Sequence, residues 1–172
     1  MIVTALNLFT ESLNIRIKLF GRKNRDIAFT LYNIGLCHQT QGDNKEAINC
    51  FTETLRIEDQ IIGGDNKDVA LTLFKLGEAY MAENLLEEAL TKFHRALKIE
   101  RRSANSDPTA VARTLNFIGN VHLLKGEMGP MMDAFVESGQ LFRRAGYSLT
   151  SVKVSPALKL RSISLAPSAA AA

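Results

Sequence analysis

The sequence repeats itself every 42 residues, and this period constrains its fold more than any other feature. Segment 26–38 returns at 68–80 and again at 110–122. A second segment, 46–57, returns at 88–99 and has a partial copy one period earlier, near the start of the chain. A fixed period of this length is typical of stacked repeats, in which each unit buries its apolar face against its neighbours.

Each half of the repeat is predicted to be an amphipathic helix. Leu31, Ile34 and His38 follow the three-and-four spacing of one helical face. Ala47 and Phe51 continue the same spacing in the second half. No apolar run approaches the ~20 residues of a membrane span. The pattern therefore predicts an all-α chain of about seven helices, arranged as stacked pairs.

The turn residues indicate where these helices end and begin. Gly42 and Asn84 lie one period apart, and both residue types tolerate the left-handed conformation that ends a helix. Asp107 followed by Pro108 is a helix start, since a carboxylate caps the first turn and proline fits there. Short turns at these points predict antiparallel helix pairs.

Three glycines recur inside helices, at Gly35, Gly77 and Gly119. Glycine costs about 1 kcal/mol relative to alanine in a helix interior. Its recurrence at one phase indicates a close approach of the paired helix. We expect Ala47 and Ala89 on the facing side.

The third repeat departs from this pattern. Gly129 and Pro130 stand where its second helix should begin, and about three residues are expected to be inserted there. Ser138 and Gly139 then take the place of the pair at 93–94. We therefore predict that the last helix packs less well than its counterparts.

Together these residues resemble tetratricopeptide repeats over roughly residues 3–142. The 42-residue period and the segment 107–112 (Asp-Pro-Thr-Ala-Val-Ala) resemble the subtype found in kinesin light chains. The resemblance implies a right-handed antiparallel helix-pair solenoid, a tetratricopeptide-like superhelix. It also implies that the first helices of successive repeats line a concave surface that binds a protein partner.

The predicted organisation is a repeat array, 1–146, followed by a Ser/Ala-rich tail, 147–172, expected to be disordered. The array divides into a partial repeat 1–25, repeats 26–67 and 68–109, and a degenerate repeat 110–146. The net charge is +3, and five basic residues with no acid lie from Arg143 onward. The body is therefore close to neutral, which does not favour nucleic acid as a partner.

No catalytic or cofactor-binding motif is present, and we predict neither an enzyme nor a cofactor or metal site. His38 and His122 align with Tyr80 one period apart, which indicates a shared packing position. Cys37 and Cys50 match neither a redox nor a zinc spacing. Two isolated thiols are typical of a reducing compartment, so a cytoplasmic protein is predicted.

The predicted partner site is a row of residues on the first helices. Its asparagines can pair with a peptide backbone, its cations with an acidic group, and its aromatic residues with apolar side chains. The alternative is that the aromatic residues pack between repeats. The row comprises Phe29, Tyr32, Asn33, Leu36, Phe74, Lys75, Glu78, Arg113, Asn116 and Asn120.

The predicted function is a scaffold or adaptor that binds a peptide segment of a partner, with no membrane contact. A cargo adaptor similar to kinesin light chains is the alternative in that class. A helical-repeat RNA binder and an accessory region of a larger signalling enzyme are alternatives of other classes.

The helix at 3–18 lacks the first helix of its own repeat. We therefore expect either a fragment of a longer array or self-association through this helix.

Overall fold

A computed structural model of the chain describes residues 2–61, 63–64, 66–103 and 107–147. The predicted disordered tail lies outside the described residues, apart from Tyr147. None of the described helices is long and apolar enough to cross a membrane. The helices are α1 (Ile2–Phe20), α2 (Arg25–Gln41), α3 (Asn44–Ile61), α4 (Lys67–Ala82), α5 (Leu86–Arg102), α6 (Pro108–Lys125) and α7 (Met128–Arg144).

The helices form a continuous stack of hairpins. Turns of two or three residues join α2 to α3, α4 to α5 and α6 to α7, and the two helices of each hairpin pack along their length. Each second helix also packs on the first helix of the next hairpin, and α1 packs on α2. Successive helices are therefore neighbours throughout, which confirms the predicted all-α repeat solenoid.

The mid-helix glycines mark a close approach of the paired helix in each hairpin, as predicted, and a phenylalanine is the nearest residue. A Cβ on any of the three would lie within 2.7 Å of an aromatic ring carbon on the paired helix. The distance from such a Cβ to the nearest ring carbon would be 2.7 Å at Gly35 (to Phe51), 2.6 Å at Gly77 (to Phe93) and 2.6 Å at Gly119 (to Phe135). The nearest side chains are thus phenylalanines, and the expected Ala47 and Ala89 are fully buried one helical turn earlier on the same helices.

The expected insertion in the third repeat is wrong. In all three hairpins the phenylalanine follows its glycine at the same interval, so the phase is unbroken. Helix α7 begins at Met128, and Pro130 lies in its first turn. Proline is tolerated there because the first N–H groups of a helix have no partner inside it.

The residue equivalences at the end of the third repeat shift accordingly. Phe135, and not Ser138, takes the place of Phe93. Ser138 instead corresponds to the buried Thr54, and its hydroxyl donates to the backbone oxygen of Ala112 at 2.6 Å. The last helix has three buried residues, but it packs on α6 as closely as the helices of the other hairpins pack on each other, so the predicted looser packing is not confirmed.

The turns and helix start follow the sequence prediction. Gly42 and Asn84 end their helices with φ of 86° and 60°, in the left-handed region. Asp107 caps α6, because its carboxylate accepts a hydrogen bond from the Thr109 backbone nitrogen at 2.9 Å, and Pro108 opens the helix. These local signals fix the hairpin geometry.

Helix α1 is the least buried helix, with no buried residue along its length. Leu13 and Ile17 pack on a small cluster formed by Ile27, Ala28 and Ile57. Large apolar side chains on other parts of this helix are exposed, namely Ile2, Val3, Leu8, Ile15, Leu19 and Phe20. The prediction that this helix is incompletely covered agrees with these exposures.

Two exposed ion pairs link second helices of adjacent hairpins. Asp59 of α3 pairs with Arg95 of α5 at 2.8 Å. One period later, Arg101 of α5 pairs with Glu137 of α7 at 2.5 Å. The positions are equivalent, but the two charges are exchanged.

Candidate peptide-binding surface

The ten predicted partner-binding residues all lie on α2, α4 and α6, but their exposure differs widely. Phe29 is 63% exposed, and Arg113 is also exposed. Three others, Phe74, Asn116 and Asn120, are buried. The remaining five are partly buried: Tyr32, Asn33, Leu36, Lys75 and Glu78.

Phe74 lies in an aromatic cluster between the second and third hairpins. Its ring centroid is 5.6 Å from that of Phe93 and 5.0 Å from that of Phe117. The guanidinium of Arg113 lies 4.6 Å from the same ring, a cation–π contact. Phe74 therefore does not reach the surface as an anchor; it supports Arg113.

The two predicted cations have different surroundings. Lys75 donates to the Glu78 carboxylate at 2.7 Å, one turn along the same helix. Its charge is therefore matched within α4. The guanidinium of Arg113 rests on an aromatic face at the surface, so Arg113 is better placed to meet an acidic group of a partner.

The asparagines are engaged within the chain. The side-chain amide of Asn33 donates to the Phe29 carbonyl at 2.7 Å. Asn120 donates to the side-chain oxygen of Asn116 at 3.4 Å, and both are buried. The structure therefore does not place Asn116 and Asn120 where they can pair with a peptide backbone.

A cleft of about 320 Å³, here called the first cleft, separates α2 from α4. Its walls are largely apolar, and the last two turns of α3 contribute a carboxyl group to it. An exposed ion pair, Arg25 with Asp68 at 2.7 Å, lies along its rim. The lining residues are Arg25, Ala28, Phe29, Tyr32, Glu58, Ile61, Asp68, Leu71 and Thr72.

A second cleft lies one period later, between α4 and α6, with a volume of about 150 Å³. Glu100 takes the place of Glu58, and Arg113 takes the place of Leu71. The lining residues are Lys67, Ala70, Leu71, Ile99, Glu100, Ser103, Asp107, Ala110 and Arg113. The two clefts are thus repeats of one feature with different linings: Phe29, Ile61, Asp68 and Leu71 of the first correspond to Leu71, Ser103, Ala110 and Arg113 of the second.

The two glutamates were not among the predicted site residues. Glu58 is 8% exposed, and its Oε2 atom has no hydrogen-bond partner among the described residues. Burial raises the pKa of Glu58 to about 7, although a hydrogen bond from Thr72 opposes the shift. Burial also raises the pKa of Glu100, and the charge of Arg113 opposes this shift. Their recurrence at one period was the sequence signal that could have identified them.

Tyr32 connects the first cleft to the hairpin core. Its ring centroid lies 5.6 Å from that of Phe51. Burial, together with the charge of Glu78, raises the pKa of Tyr32 to about 12. The phenol is therefore neutral near pH 7, and its hydroxyl group can donate a hydrogen bond at the cleft.

His38 and His122 occupy the same position in their repeats, and each ring lies near an acidic residue just after the end of its helix. The Nδ1 atom of His122 lies 2.6 Å from the Glu127 carboxylate. The Nδ1 atom of His38 lies 3.6 Å from that of Asp43. Both rings are partly buried, as the predicted packing position requires. The described residues include no group of three or more potential metal ligands.

The stacked hairpins, their glycine contacts and the repeated clefts define the class of helical-repeat solenoids. Two family models, both described as tetratricopeptide repeat, match residues 3–60 and 72–105. These matches together cover more than half of the chain, and the chain belongs to the tetratricopeptide repeat proteins. No curated protein sequence matches it significantly.

Solved structures share this fold at low sequence identity. BtubC (BKLC) from P. vanneervenii is 17% identical, with a TM-score of 0.80 over 90% of this chain and 61% of that chain. The nearly identical repeats of a predicted kinesin light chain from Podosopora anserina are 13% identical, with a TM-score of 0.70 over 86% and 70%. A single-substitution form of the latter gives 0.71 over 86% and 69%, also at 13% identity. The resemblance to kinesin-light-chain repeats is thereby confirmed for the fold, and the chain spans less than two thirds of BtubC.

Proposed function

We propose that this protein is an interaction scaffold that binds an extended peptide segment of a partner along α2, α4 and α6, without catalysis of its own. The observation that carries the proposal is the first cleft, which opens beside exposed apolar side chains on α2 and α4. Phe29 and Leu71 are 63% and 40% exposed at this cleft. Exposed aromatic and aliphatic side chains beside a cleft are typical of binding surfaces.

The proposed surface runs from the first cleft to the guanidinium of Arg113. Apolar side chains of a peptide would rest on Phe29 and Leu71, and an acidic side chain or terminal carboxylate would meet Arg113. Tyr32 and Leu36 border the same strip. Phe74, Asn116 and Asn120 support the surface from below.

Two variants test the surface in a pull-down from cytosolic extract with the full chain. Phe29→Ala with Leu71→Ala removes the apolar contacts, and Lys75→Glu with Arg113→Glu reverses the charges. We expect each double variant to lose the captured partners. A matched control is Leu8→Ala with Leu19→Ala, which changes exposed apolar residues on α1 and should retain them. Partners unaffected by both test variants would contradict the proposed surface.

The kinesin-light-chain-like alternative is supported by the fold of the P. anserina structure. It predicts that the captured protein is a cargo of a microtubule motor. Repeating the pull-down with nuclease separates the RNA-binding alternative, because RNA-dependent partners would then be lost.

We also propose that the protein acts in the cytoplasm. Both cysteines are free and partly buried, and burial raises the pKa of Cys50 to about 11, which keeps this thiol protonated and unreactive. Cell fractionation followed by thiol labelling tests this. Recovery of either cysteine in an oxidised form from an oxidising compartment would contradict it.

A further inference from the structure

The first cleft contains a buried acid that forms no ion pair with a described residue, since the cation at the rim, Arg25, is bonded to Asp68. Its Glu58 carboxyl is more than nine-tenths buried and lines the cavity, and Oε2 lacks a hydrogen-bond partner among the described residues. A buried carboxyl group without full hydrogen bonding is costly. Such a group is ready to gain from a donor that enters the cleft.

The second cleft shows what the first one lacks. There Glu100 Oε2 likewise has no hydrogen-bond partner among the described residues, but the chain supplies Arg113, whose positive charge acts on Glu100. The equivalent residue at the first cleft is Leu71, which carries no charge, and the cavity is about 320 Å³ instead of about 150 Å³. The larger cleft therefore has both the acid and the space for a cationic side chain.

We propose that the first cleft receives a basic side chain, lysine or arginine, from the partner peptide, and that its charged end reaches Glu58. This inference rests on the proposed peptide-binding function and specifies what the peptide must carry. The methylene stem of the side chain would lie between Phe29 and Leu71, as long basic side chains commonly pack on apolar surface. The same peptide would present an acidic group to Arg113, about one repeat further along.

The charges around Glu58 agree with this assignment. Asp68 and Asp59 both disfavour its ionised form, and Arg25 favours it. Arg25 is bonded to Asp68 at the rim, with a side chain that is 71% exposed. Asp59 is paired with Arg95 and Asp68 with Arg25, so Glu58 is the carboxyl group of this cleft that has no ion-pair partner among the described residues. An incoming positive charge would favour its ionisation.

The test uses a small probe, N-acetyl-lysine amide, so that it does not depend on finding the partner. Binding to the full chain is followed at pH 8 by the NMR shifts of the Ile61 methyl groups for the first cleft and of the Ile99 methyl groups for the second. Uncharged N-acetyl-norleucine amide is the reference. We expect the lysine amide to bind, and Glu58→Gln to weaken it by at least about tenfold. Glu100→Gln is the matched control and should leave binding at the first cleft unchanged.

Two further variants exchange the character of the clefts. Leu71→Arg supplies the first cleft with the guanidinium that the second one has, and should abolish binding of the lysine amide there. Arg113→Leu removes the resident cation from the second cleft, and should create a second site that depends on Glu100. Equal shifts with the lysine and norleucine amides, or full binding by Glu58→Gln, would overturn the proposal.

The chain's own basic tail is the competing occupant. Lys153, Lys159 and Arg161 are replaced together by glutamine in the full chain. If the lysine amide binds this variant but not the unmodified chain, the cleft belongs to the tail and the proposal is wrong. Equal binding to both supports a partner's side chain.

Selection of dodecapeptides from a random phage-displayed library separates this inference from the proposed function. Peptides enriched in lysine or arginine, and displaced by the lysine amide, support both. Peptides with no such enrichment overturn the inference but leave peptide binding intact. Recovery of no peptide, together with Glu58-dependent binding of the lysine amide, contradicts the proposed function and supports the cleft assignment.

Discussion

Hairpins α4–α5 and α6–α7 are built on the same glycine–phenylalanine contact, yet their burial is very different. In the first, Phe93 is fully buried and its ring lies against Phe74 and Phe117. In the second, Phe135 is only partly buried, because no described helix packs on the far side of α7. The contact is thus a property of the hairpin, whereas burial depends on the neighbouring hairpins.

The largest effect is expected from removing the two rings. Phe93→Ala should lower the free energy of unfolding by about 3–5 kcal/mol, because it leaves a cavity in the closed core. Phe135→Ala should cost roughly half as much, since solvent already reaches that ring. Urea unfolding followed by circular dichroism measures both. Equal losses would show that the terminal hairpin is as well covered as the interior one.

A second difference is between the two glutamates, Glu58 and Glu100, that lie where one hairpin meets the next. Glu58 has a pKa of about 7 in the folded chain against an ordinary value of 4.5. Since the folded state then binds the extra proton, stability falls as pH rises from about 4.5 to 7. Glu58→Gln should therefore gain about 3 kcal/mol over the unmodified chain at pH 8, and the gain should disappear near pH 4.

Glu100→Gln is the matched variant at the other junction. It should show the same sign with a smaller gain, because Arg113 already stabilises the Glu100 carboxylate. Urea unfolding at pH 4 and pH 8 measures both variants. A Glu58→Gln chain less stable than the unmodified chain at pH 8 would contradict this account of the junction.

The glycines themselves give a smaller contrast. A methyl group at Gly77 would lie 2.6 Å from the Phe93 ring, which is held on several sides. Overpacking typically costs about 1–3 kcal/mol, and the gain in helix propensity returns about 1. We expect Gly77→Ala to lower the melting temperature clearly. Gly119→Ala should lower it less, since Phe135 has room to move aside, and an equal drop would argue against that freedom.

The smallest effect is expected at the exposed ion pairs between second helices. Arg95→Ala and Arg101→Ala should each change the unfolding free energy by no more than about 0.5–1 kcal/mol, because exposed pairs are well screened. High salt should reduce even this difference. A larger loss at Arg101 would indicate that the terminal helix α7 depends on its pair with Glu137.

The sequence predicts the hairpins well, because period, glycine phase and turn residues are all local signals. The insertion expected in the third repeat is wrong because Gly129 and Pro130 resemble a break between helices, although proline also fits the first turn of one. The interval from Gly119 to Phe135 keeps the phase of the other hairpins and is the more reliable signal.

The candidate surface is harder to predict. Asn116 and Asn120 occupy positions that look polar along one helix, yet α6 has neighbours on several sides that bury them. Glu58 and Glu100 were missed as site residues, because a charged residue late in a helix is normally exposed to solvent. Which side chains face a cleft depends on how two hairpins meet, and a single helix pattern does not contain that information.

The exchanged charges of the ion pairs have a consequence for the order of the repeats. Helix α3 offers an acid to α5 through Asp59, and α5 offers a base to α7 through Arg101. If α7 followed α3 directly, Asp59 would face Glu137, and two like charges would meet. The repeats are therefore not interchangeable. Deleting or reordering the middle repeat would place like charges opposite each other, so these surface charges favour one order of the repeats.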